Sequence, residues 1–296
     1  MSENYQKIRN LLCNIKQSVK NSNKIYYDVF QILTSYLVEK FTAYLDHQKK
    51  SNRGAKRKFD LNEFFKCLFL SVDNSLKQFY IEQISTVKLS SYKRYLTLLT
   101  KSQIMVLSYQ EIIHLFRPSQ EIDYCITDSF TFKSMDGSDH LGKNPTDRGR
   151  QGGKTSIICD QDLIVHGVIC ESANTHDCDL LIPTIQQSMT PLRNKKCLGD
   201  KGYAGQKYIS KVRAMTGVHV IAKPRRTRNP LKMTHYISSE DAQLLKEKRS
   251  HIERLNQNLR NFRSIHVKYT KKMATYVTYL FTALLCTTCY SLSSKI

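Results

Sequence analysis

The sequence predicts an α/β fold, a domain with a mixed sheet flanked by helices, preceded by an all-helical region. Two changes of pattern favour this organisation. Apolar residues recur at helical spacing through residues 1–120, whereas short β-prone runs alternate with helical segments from Asp123 onward. We therefore expect a helical, basic region over residues 1–120 and an α/β domain over residues 121–296.

Three amphipathic stretches make up the predicted helical region. The first carries its apolar residues one turn apart, at Val29, Ile32, Leu33, Tyr36, Leu37 and Phe41. The second extends over 59–84, and residues 88–116 resemble two short helices. Lys93 and Arg94 fall in the first turns of the helix after residue 88, as in a helix that enters a DNA groove. Ordinary helix packing explains the same pattern.

The α/β region shows five predicted strands with helices between them. The strands are expected at 124–127, 155–159, 164–170, 196–198 and 218–221. The helices are expected at about 177–187, 205–215 and 240–262. This order predicts an antiparallel meander of the first three strands, followed by strands joined through helical crossovers.

The ends of the chain argue against export and against a membrane span. Charges are spread through the first residues, with no apolar core of signal-peptide length. Residues 273–294 carry no charge but are rich in Thr, Ser and Tyr, which favours a buried C-terminal helix. The nine cysteines are odd in number and lie mostly in apolar runs, as buried thiols do in a reducing compartment. We expect an intracellular protein, without a membrane partner.

The charge balance favours a polyanionic partner. Lys and Arg number 46 against 25 Asp and Glu, a formal net charge of +21. Each phosphate that a basic side chain neutralises releases counterions and adds to affinity for nucleic acid. A basic protein without such a partner is the alternative, because charge bears on association and not on fold.

Three carboxylates fall where they can form one site. Asp128 and Asp200 each follow a predicted strand, so two parallel neighbouring strands would bring both to the same edge of the sheet. Glu253 lies on the last predicted helix, on a different face from its apolar residues. Oxygen ligands at an open site suit Mg²⁺ or Mn²⁺. Gly199 and Gly202 would let the backbone approach a ligand there. Spacing alone does not exclude the other acids of this region, Asp136, Asp139, Asp147, Asp160 and Asp162.

Several ordered motifs of residues 121–285 resemble one family. They are "DSF", "NPTDRGRQGGKTSIICD", "ANTHD", "GDKGYAG" and "RSHIERLNQNLR". Together they are similar to the catalytic domain of DDE transposases of the bacterial insertion-sequence 4/5 type. The resemblance implies a ribonuclease-H-like fold with Asp128, Asp200 and Glu253 as the catalytic, metal-binding triad. Two Mg²⁺ or Mn²⁺ ions held there would activate a nucleophile and stabilise the leaving oxygen.

The resemblance also implies where DNA would be held. Arg249 and Arg260 occupy the family's basic positions around Glu253, while the family's Tyr is replaced by Lys246. Arginine binds phosphate as a planar fork, so we expect both arginines to contact the DNA backbone. Two basic loops suggest further contacts, at Arg148, Arg150 and Lys154 and at Lys223, Arg225, Arg226 and Arg228. His176 and Asp177 could line the site, although residues here most simply cap a helix.

The expected function is that of a DNA transposase. It would bind the terminal inverted repeats of its element as a homodimer or larger assembly, cleave each end, and join the freed 3′-hydroxyl to target DNA in the nucleoid or nucleus. Two alternatives remain at the level of the sequence: a metal-dependent nuclease of the same fold, and a domesticated, catalytically inactive DNA-binding protein.

Overall fold

The computed structural model describes residues 3–19, 24–48, 60–73, 81–134, 142–143, 151–224, 236–248, 250–268 and 272–296. The chain separates into two compact units. The described residues of the first unit lie within 1–112 and 259–296, and those of the second within 113–134 and 140–258. The C-terminal helix is therefore grouped with the N-terminal helices, whereas a boundary near residue 120 alone would assign it to the α/β domain.

The first unit is built from helices, as the apolar spacing predicts. Their bounds are α1 Glu3–Ser18, α2 Ile25–His47, α3 Leu61–Asp73, α4 Ile81–Ile84, α5 Leu89–Ser102, α6 Ile104–Phe116, which ends in the second unit, α11 Arg263–His266 and α12 Met273–Ser293; a short strand, β7, occupies Val267–Lys268. Helix α12 packs against α1, α2, α3 and α5.

Helix α12 is the centre of this bundle. Most of its side chains are buried, and the Tyr109 hydroxyl lies 3.1 Å from the Thr288 hydroxyl oxygen. Uncharged threonines suit such a position because their hydroxyls bond to backbone carbonyls of the preceding turn, as Thr282 does to Thr278. The buried C-terminal helix is thus confirmed. Among the described residues, no helix is long and apolar enough to cross a membrane.

The second unit contains a mixed sheet with helices beside it. The strands are β1 Tyr124–Ser134, β2 Gly142–Lys143, β3 Gln151–Asp160, β4 Val165–Ser172, β5 Lys196–Gly199 and β6 His219–Ala222. The helices are α7 Asp177–Gln186, α8 Gln206–Thr216, α9 Ser239–Lys248 and α10 Ser250–Arg260, whose last two residues belong to the first unit. Two 3-10 turns occupy Ser119–Glu121 and Lys201–Tyr203.

The pairing of the strands confirms the predicted meander and crossovers. β1 pairs antiparallel with β3, and β3 pairs antiparallel with β4 and the short β2. On its other side β1 pairs in parallel with β5, and β5 in parallel with β6. β1 is longer than predicted, because nine of its residues pair with β3, from Cys125 to Lys133. Asp128 therefore lies within β1 and not after its end.

The two faces of the sheet have different neighbours. Cys125 and Cys197 point to the face that packs with Leu181 of α7 and Val212 of α8 in one buried core. Residues one position away along each strand point to the opposite face. On that opposite face, Lys196 donates a hydrogen bond to Asp241 of α9 over 2.7 Å.

Candidate active site

Asp128 and Asp200 occupy matching positions on neighbouring parallel strands. β1 and β5 pair from Tyr124 with Lys196 to Ile126 with Leu198, and continuing this register for two residues would bring Asp200 beside Asp128. The backbone of Asp200 is extended, with φ −74° and ψ 176°, and continues the direction of β5. Adjacent strands lie about 4.8 Å apart. The charge of Asp200 also acts on the pKa of Asp128, so the two acids lie near each other; their joint role in one metal site stays a prediction.

Helix α10 lies along the same face of β1. His251 Nδ1 lies 3.3 Å from the Tyr124 hydroxyl, and Asn256 Nδ2 donates a hydrogen bond of 2.9 Å to Asp128 Oδ2. Tyr124 and Asp128 are four residues apart, so both side chains stand on one face of the strand. The helix thus contacts the strand at two points, one of which is Asp128.

The Asp128 carboxyl is partly buried among other acids. Burial raises its pKa above the ordinary value, and the negative charges of Asp200 and Asp177 raise it further. The Ser129 N–H and the Asn256 amide donate to this carboxyl and act in the opposite direction. A cation bound at Asp128 would offset the repulsion between its carboxylate and the neighbouring acids.

The glycines beside Asp200 make room for protein groups. Gly202 N donates a hydrogen bond of 2.6 Å to Asp200 Oδ1, and a Cβ at Gly202 would lie equally close to that oxygen. A Cβ at Gly199 would lie 2.8 Å from the Tyr203 ring. The Tyr203 side chain therefore fills the space that the absent side chain of Gly199 leaves, and the approach of a ligand to the backbone stays a prediction.

Glu253 is not brought against the two aspartates. Its side chain is exposed, and among the described residues no group of three His, Cys, Asp or Glu side chains is arranged to hold a metal ion. The reason is its angle on α10. At about 100° per residue, Glu253 lies about 60° from Asn256 around the helix, and Leu255 marks the buried side. Its place in a metal triad stays a prediction.

Asp177 lies at the start of α7, beneath the opposite face of the sheet. Its Oδ1 accepts hydrogen bonds from Ser129 Oγ, at 2.5 Å, and from Lys154 Nζ, at 2.9 Å. Lys154 Nζ also donates to the Thr175 carbonyl over 2.6 Å, and its side chain is 12 % exposed. The expected contact of Lys154 with DNA stays a prediction. The structure uses its ammonium to hold the beginning of α7 against β1 and β3.

One predicted DNA contact, Lys223, follows the strand that pairs with β5. β5 and β6 pair Gly199 with Ala222, and Asp200 and Lys223 are the residues that follow these two strands; the side chain of Lys223 is exposed. Arg260, at the end of α10, is also exposed. The remaining predicted contacts lie outside the residues that the structure describes: Arg148, Arg150, Arg225, Arg226, Arg228 and Arg249.

Asn256 is the residue that sequence reasoning missed. It carries no charge, and amides are common on helix surfaces. A signal was available, however, because Asn256 follows Glu253 by three residues, and positions three apart are neighbours on a helix surface. The face predicted to look toward the acids therefore already contained it.

Comparison with known proteins identifies a protein family and similar solved structures. A family model described as "Transposase DDE domain" matches residues 119–289, more than half of the chain. Among solved structures, the chain is similar to a piggyBac transposase in a synaptic complex with hairpin DNA. The TM-score is 0.52 and the identity 10 %, over 96 % of this chain and 74 % of that chain. This likeness supports the predicted fold class. No curated protein sequence matches significantly.

Proposed function

Because this chain belongs to the transposase DDE domain family and is a DNA transposase, we propose that it cleaves the phosphodiester at each end of its element and joins the freed 3′-hydroxyl to target DNA. The observation that supports this most is the matched placement of Asp128 and Asp200 across β1 and β5. The function rests on that pair, because carboxylates in such a row can share a cation.

The donor set fits a divalent ion, on which the family depends. Asp128 and Asp200 offer hard oxygen ligands, and burial, together with the negative charges of Asp200 and Asp177, raises the pKa of Asp128. Carboxylate oxygens with room for water and phosphate suit Mg²⁺ or Mn²⁺. We propose two ions. When bound, they supply charge stabilisation and an activated nucleophile for in-line displacement at phosphorus.

The side chains have two proposed roles, binding the metal ions and contacting DNA phosphates. We propose that Asp128 and Asp200 hold the ions, and that Glu253, one turn before Asn256 on α10, is the third carboxylate once DNA is bound. Lys223 follows β6 as Asp200 follows β5, and its side chain is exposed, which suits contact with a phosphate next to the scissile bond. Arg260 and the arginines at 148, 150, 225, 226, 228 and 249 are proposed as further phosphate contacts.

The proposed partner is double-stranded DNA. The +21 charge supports it, since neutralised phosphates release counterions. We propose that the terminal inverted repeats of the element and the target DNA are both bound by a homodimer or larger assembly, inside the cell. The transposition reaction requires two ends to be held together.

The direct test uses a supercoiled plasmid carrying the gene with its flanking DNA. Purified wild-type protein is expected to nick or cut at the flanks of the element in Mg²⁺ or Mn²⁺, and not in EDTA. Asp128→Asn and Asp200→Asn should abolish cleavage while leaving salt-sensitive DNA binding intact. Equal cleavage by Asp128→Asn would contradict the assignment.

Product analysis separates the proposal from its alternatives. Strand transfer into a second plasmid, with the element's 3′ ends joined to target, supports a transposase. Cleavage without joining would indicate a nuclease of the same fold. Binding without cleavage under all metal conditions would indicate a DNA-binding protein that has lost catalysis.

A further inference from the structure

Asn256 presents two different atoms at the candidate site. Its Nδ2 donates a hydrogen bond of 2.9 Å to Asp128 Oδ2. Its Oδ1 is buried and, within the part of the chain that the structure describes, has no hydrogen-bond partner. The amide nitrogen is therefore hydrogen-bonded to the catalytic carboxylate, whereas the amide oxygen has no partner among the described residues.

The orientation of the amide follows from the chemistry of its neighbour. An ionised carboxylate only accepts hydrogen bonds, so the Nδ2 side of Asn256 must face Asp128. This leaves the amide oxygen as the atom without a partner. Buried amide oxygens are nearly always hydrogen-bonded or bound to an ion, because a buried polar atom without a partner costs free energy.

The position of Asn256 on α10 brings its side chain to Asp128. The helix contacts β1 at Tyr124 through His251 and at Asp128 through Asn256, so its path along the strand is fixed at two points. Leu255 is buried beside Asn256, and Glu253 is exposed one turn earlier. Asn256 is thus the residue of α10 that the structure places against a catalytic carboxylate.

We propose that Asn256 is a further oxygen ligand of the divalent-ion site, through Oδ1, and that it positions Asp128 through Nδ2. Side-chain amide oxygens are ordinary ligands of hard cations, together with carboxylates. The proposal rests on the proposed function, because the ion is the one that Asp128 and Asp200 would hold. It adds a neutral ligand to the carboxylates that the family pattern supplies.

The test measures ion binding without catalysis. Mn²⁺ is titrated into the full-length protein without DNA, and free Mn²⁺ is followed by its electron paramagnetic resonance signal. Asn256→Leu keeps the size of the side chain and removes both polar atoms, so we expect Mn²⁺ affinity to fall about tenfold, as for losses around a metal site. Asn256→Asp keeps an oxygen and should bind Mn²⁺ at least as tightly as wild type.

The matched control is Asn258→Leu, two residues along the same helix and likewise half-buried. It should bind Mn²⁺ as wild type does. Asn256→Leu binding within twofold of wild type would overturn the proposal. Asn256→Asp binding more weakly than Asn256→Leu would also overturn it, because the residue would then act only as a hydrogen-bond donor.

Thermal unfolding keeps the proposal testable if Asn256→Leu folds poorly. Asn256→Asp places a second carboxylate against Asp128, so the midpoint of its thermal unfolding in EDTA should be lower than that of wild type. Adding Mn²⁺ should raise the midpoint of the variant by more than it raises that of wild type. Equal shifts in the two proteins would contradict a ligand role.

The Asp128→Asn variant distinguishes failure of the proposed metal site from failure of the proposed role of Asn256. If it binds Mn²⁺ as wild type does, the proposed metal site itself is wrong. If it loses binding while Asn256→Leu retains it, only the role of Asn256 is wrong.

Discussion

Asp128 of β1 and Asp200, the residue after β5, each follow by two positions the paired residues Ile126 and Leu198 of neighbouring parallel strands, although 71 residues lie between the two acids in the sequence. The pairing is fixed by the apolar residues below them, Ile126 with Leu198 and Cys125 with Cys197. Because all four are buried, a shift of register would expose apolar side chains. The core therefore sets the geometry of the acids.

Removing the charge of Lys223 should weaken DNA binding. Lys223→Ala is expected to reduce the slope of log affinity against log salt by about 0.9, the value for one phosphate contact. Binding is measured by fluorescence anisotropy of labelled DNA between low and high salt. Lys211→Ala, an exposed lysine on α8, should leave the slope unchanged.

A variant of Lys154 provides a second comparison with Lys223→Ala in the same DNA-binding assay. Its ammonium is bonded to Asp177 and to the Thr175 carbonyl, so Lys154→Met should leave the salt slope unchanged. The variant should instead lower the free energy of unfolding by about 1 kcal/mol through the lost hydrogen bonds. A reduced slope at unchanged stability would show that Lys154 contacts DNA after all.

Helix α5 is expected to contribute to DNA affinity. Lys93 and Arg94 are exposed near its start, while Tyr92 and Leu96 are buried. The double variant Lys93→Ala with Arg94→Ala should lower the salt slope by about 0.9 for each contact removed. The control is Arg9→Ala with Lys16→Ala, which removes the same charges from exposed positions on α1. Equal effects of the two double variants would mean that only net charge matters.

A buried ion cluster should make the second unit sensitive to acid. Arg117 Nε donates to Asp160 Oδ2 over 2.6 Å, and His166 Nε2 lies 3.0 Å from the same oxygen. The side chains of Asp160 and His166 are fully buried, and that of Arg117 is 4 % exposed. Although burial alone would raise the pKa of Asp160, these partners outweigh it and hold the pKa below the ordinary 3.8.

The sign of the pH effect follows from that direction. A carboxyl whose folded pKa is depressed stabilises the fold fully above its unfolded pKa, and this stability is lost as the pH falls through the folded pKa. Asp160→Asn should lower the free energy of unfolding at pH 7 by about 3–5 kcal/mol, because Arg117 loses its buried partner. Urea denaturation measures it, with the exposed Asp123→Asn as control. A loss below about 1 kcal/mol would contradict the expected effect.

Adding one methyl group at Gly199 should disturb the turn that carries Asp200. The new Cβ would lie 2.8 Å from Tyr203 Cδ2, and Tyr203 is buried. We expect Gly199→Ala to cost about 1–3 kcal/mol, as overpacking does. Thermal unfolding checks this, with Ser210→Ala on the exposed side of α8 as control. An unchanged midpoint would show that the Tyr203 ring can move aside.

The sequence was sufficient to predict the pair of aspartates. The apolar run before Asp200 follows a predicted helical segment, which is the pattern of a strand that returns parallel to an earlier one. The length of β1 was not predictable in the same way. Residues 129–134 mix polar and aromatic side chains and become a strand only because β3 pairs with them.

The residues around the two acids could not be predicted, because they contact each other from distant parts of the sequence. The space beside Gly199 is filled by Tyr203, and Asp128 is bonded by Asn256 from 128 residues away. Lys154 is a predicted DNA contact because it follows a basic, glycine-rich run, and its hydrogen bond to α7 could not be predicted from that run. Its partner Asp177 approaches only when α7 packs against the sheet.

The most direct measurement is anomalous diffraction from crystals of the protein grown with Mn²⁺ and DNA ends. The account predicts Mn²⁺ density within about 2.2 Å of carboxylate oxygens of both Asp128 and Asp200, next to a phosphate of the cleavage site. Mn²⁺ bound elsewhere, with DNA in place and these two carboxylates free of metal, would contradict it.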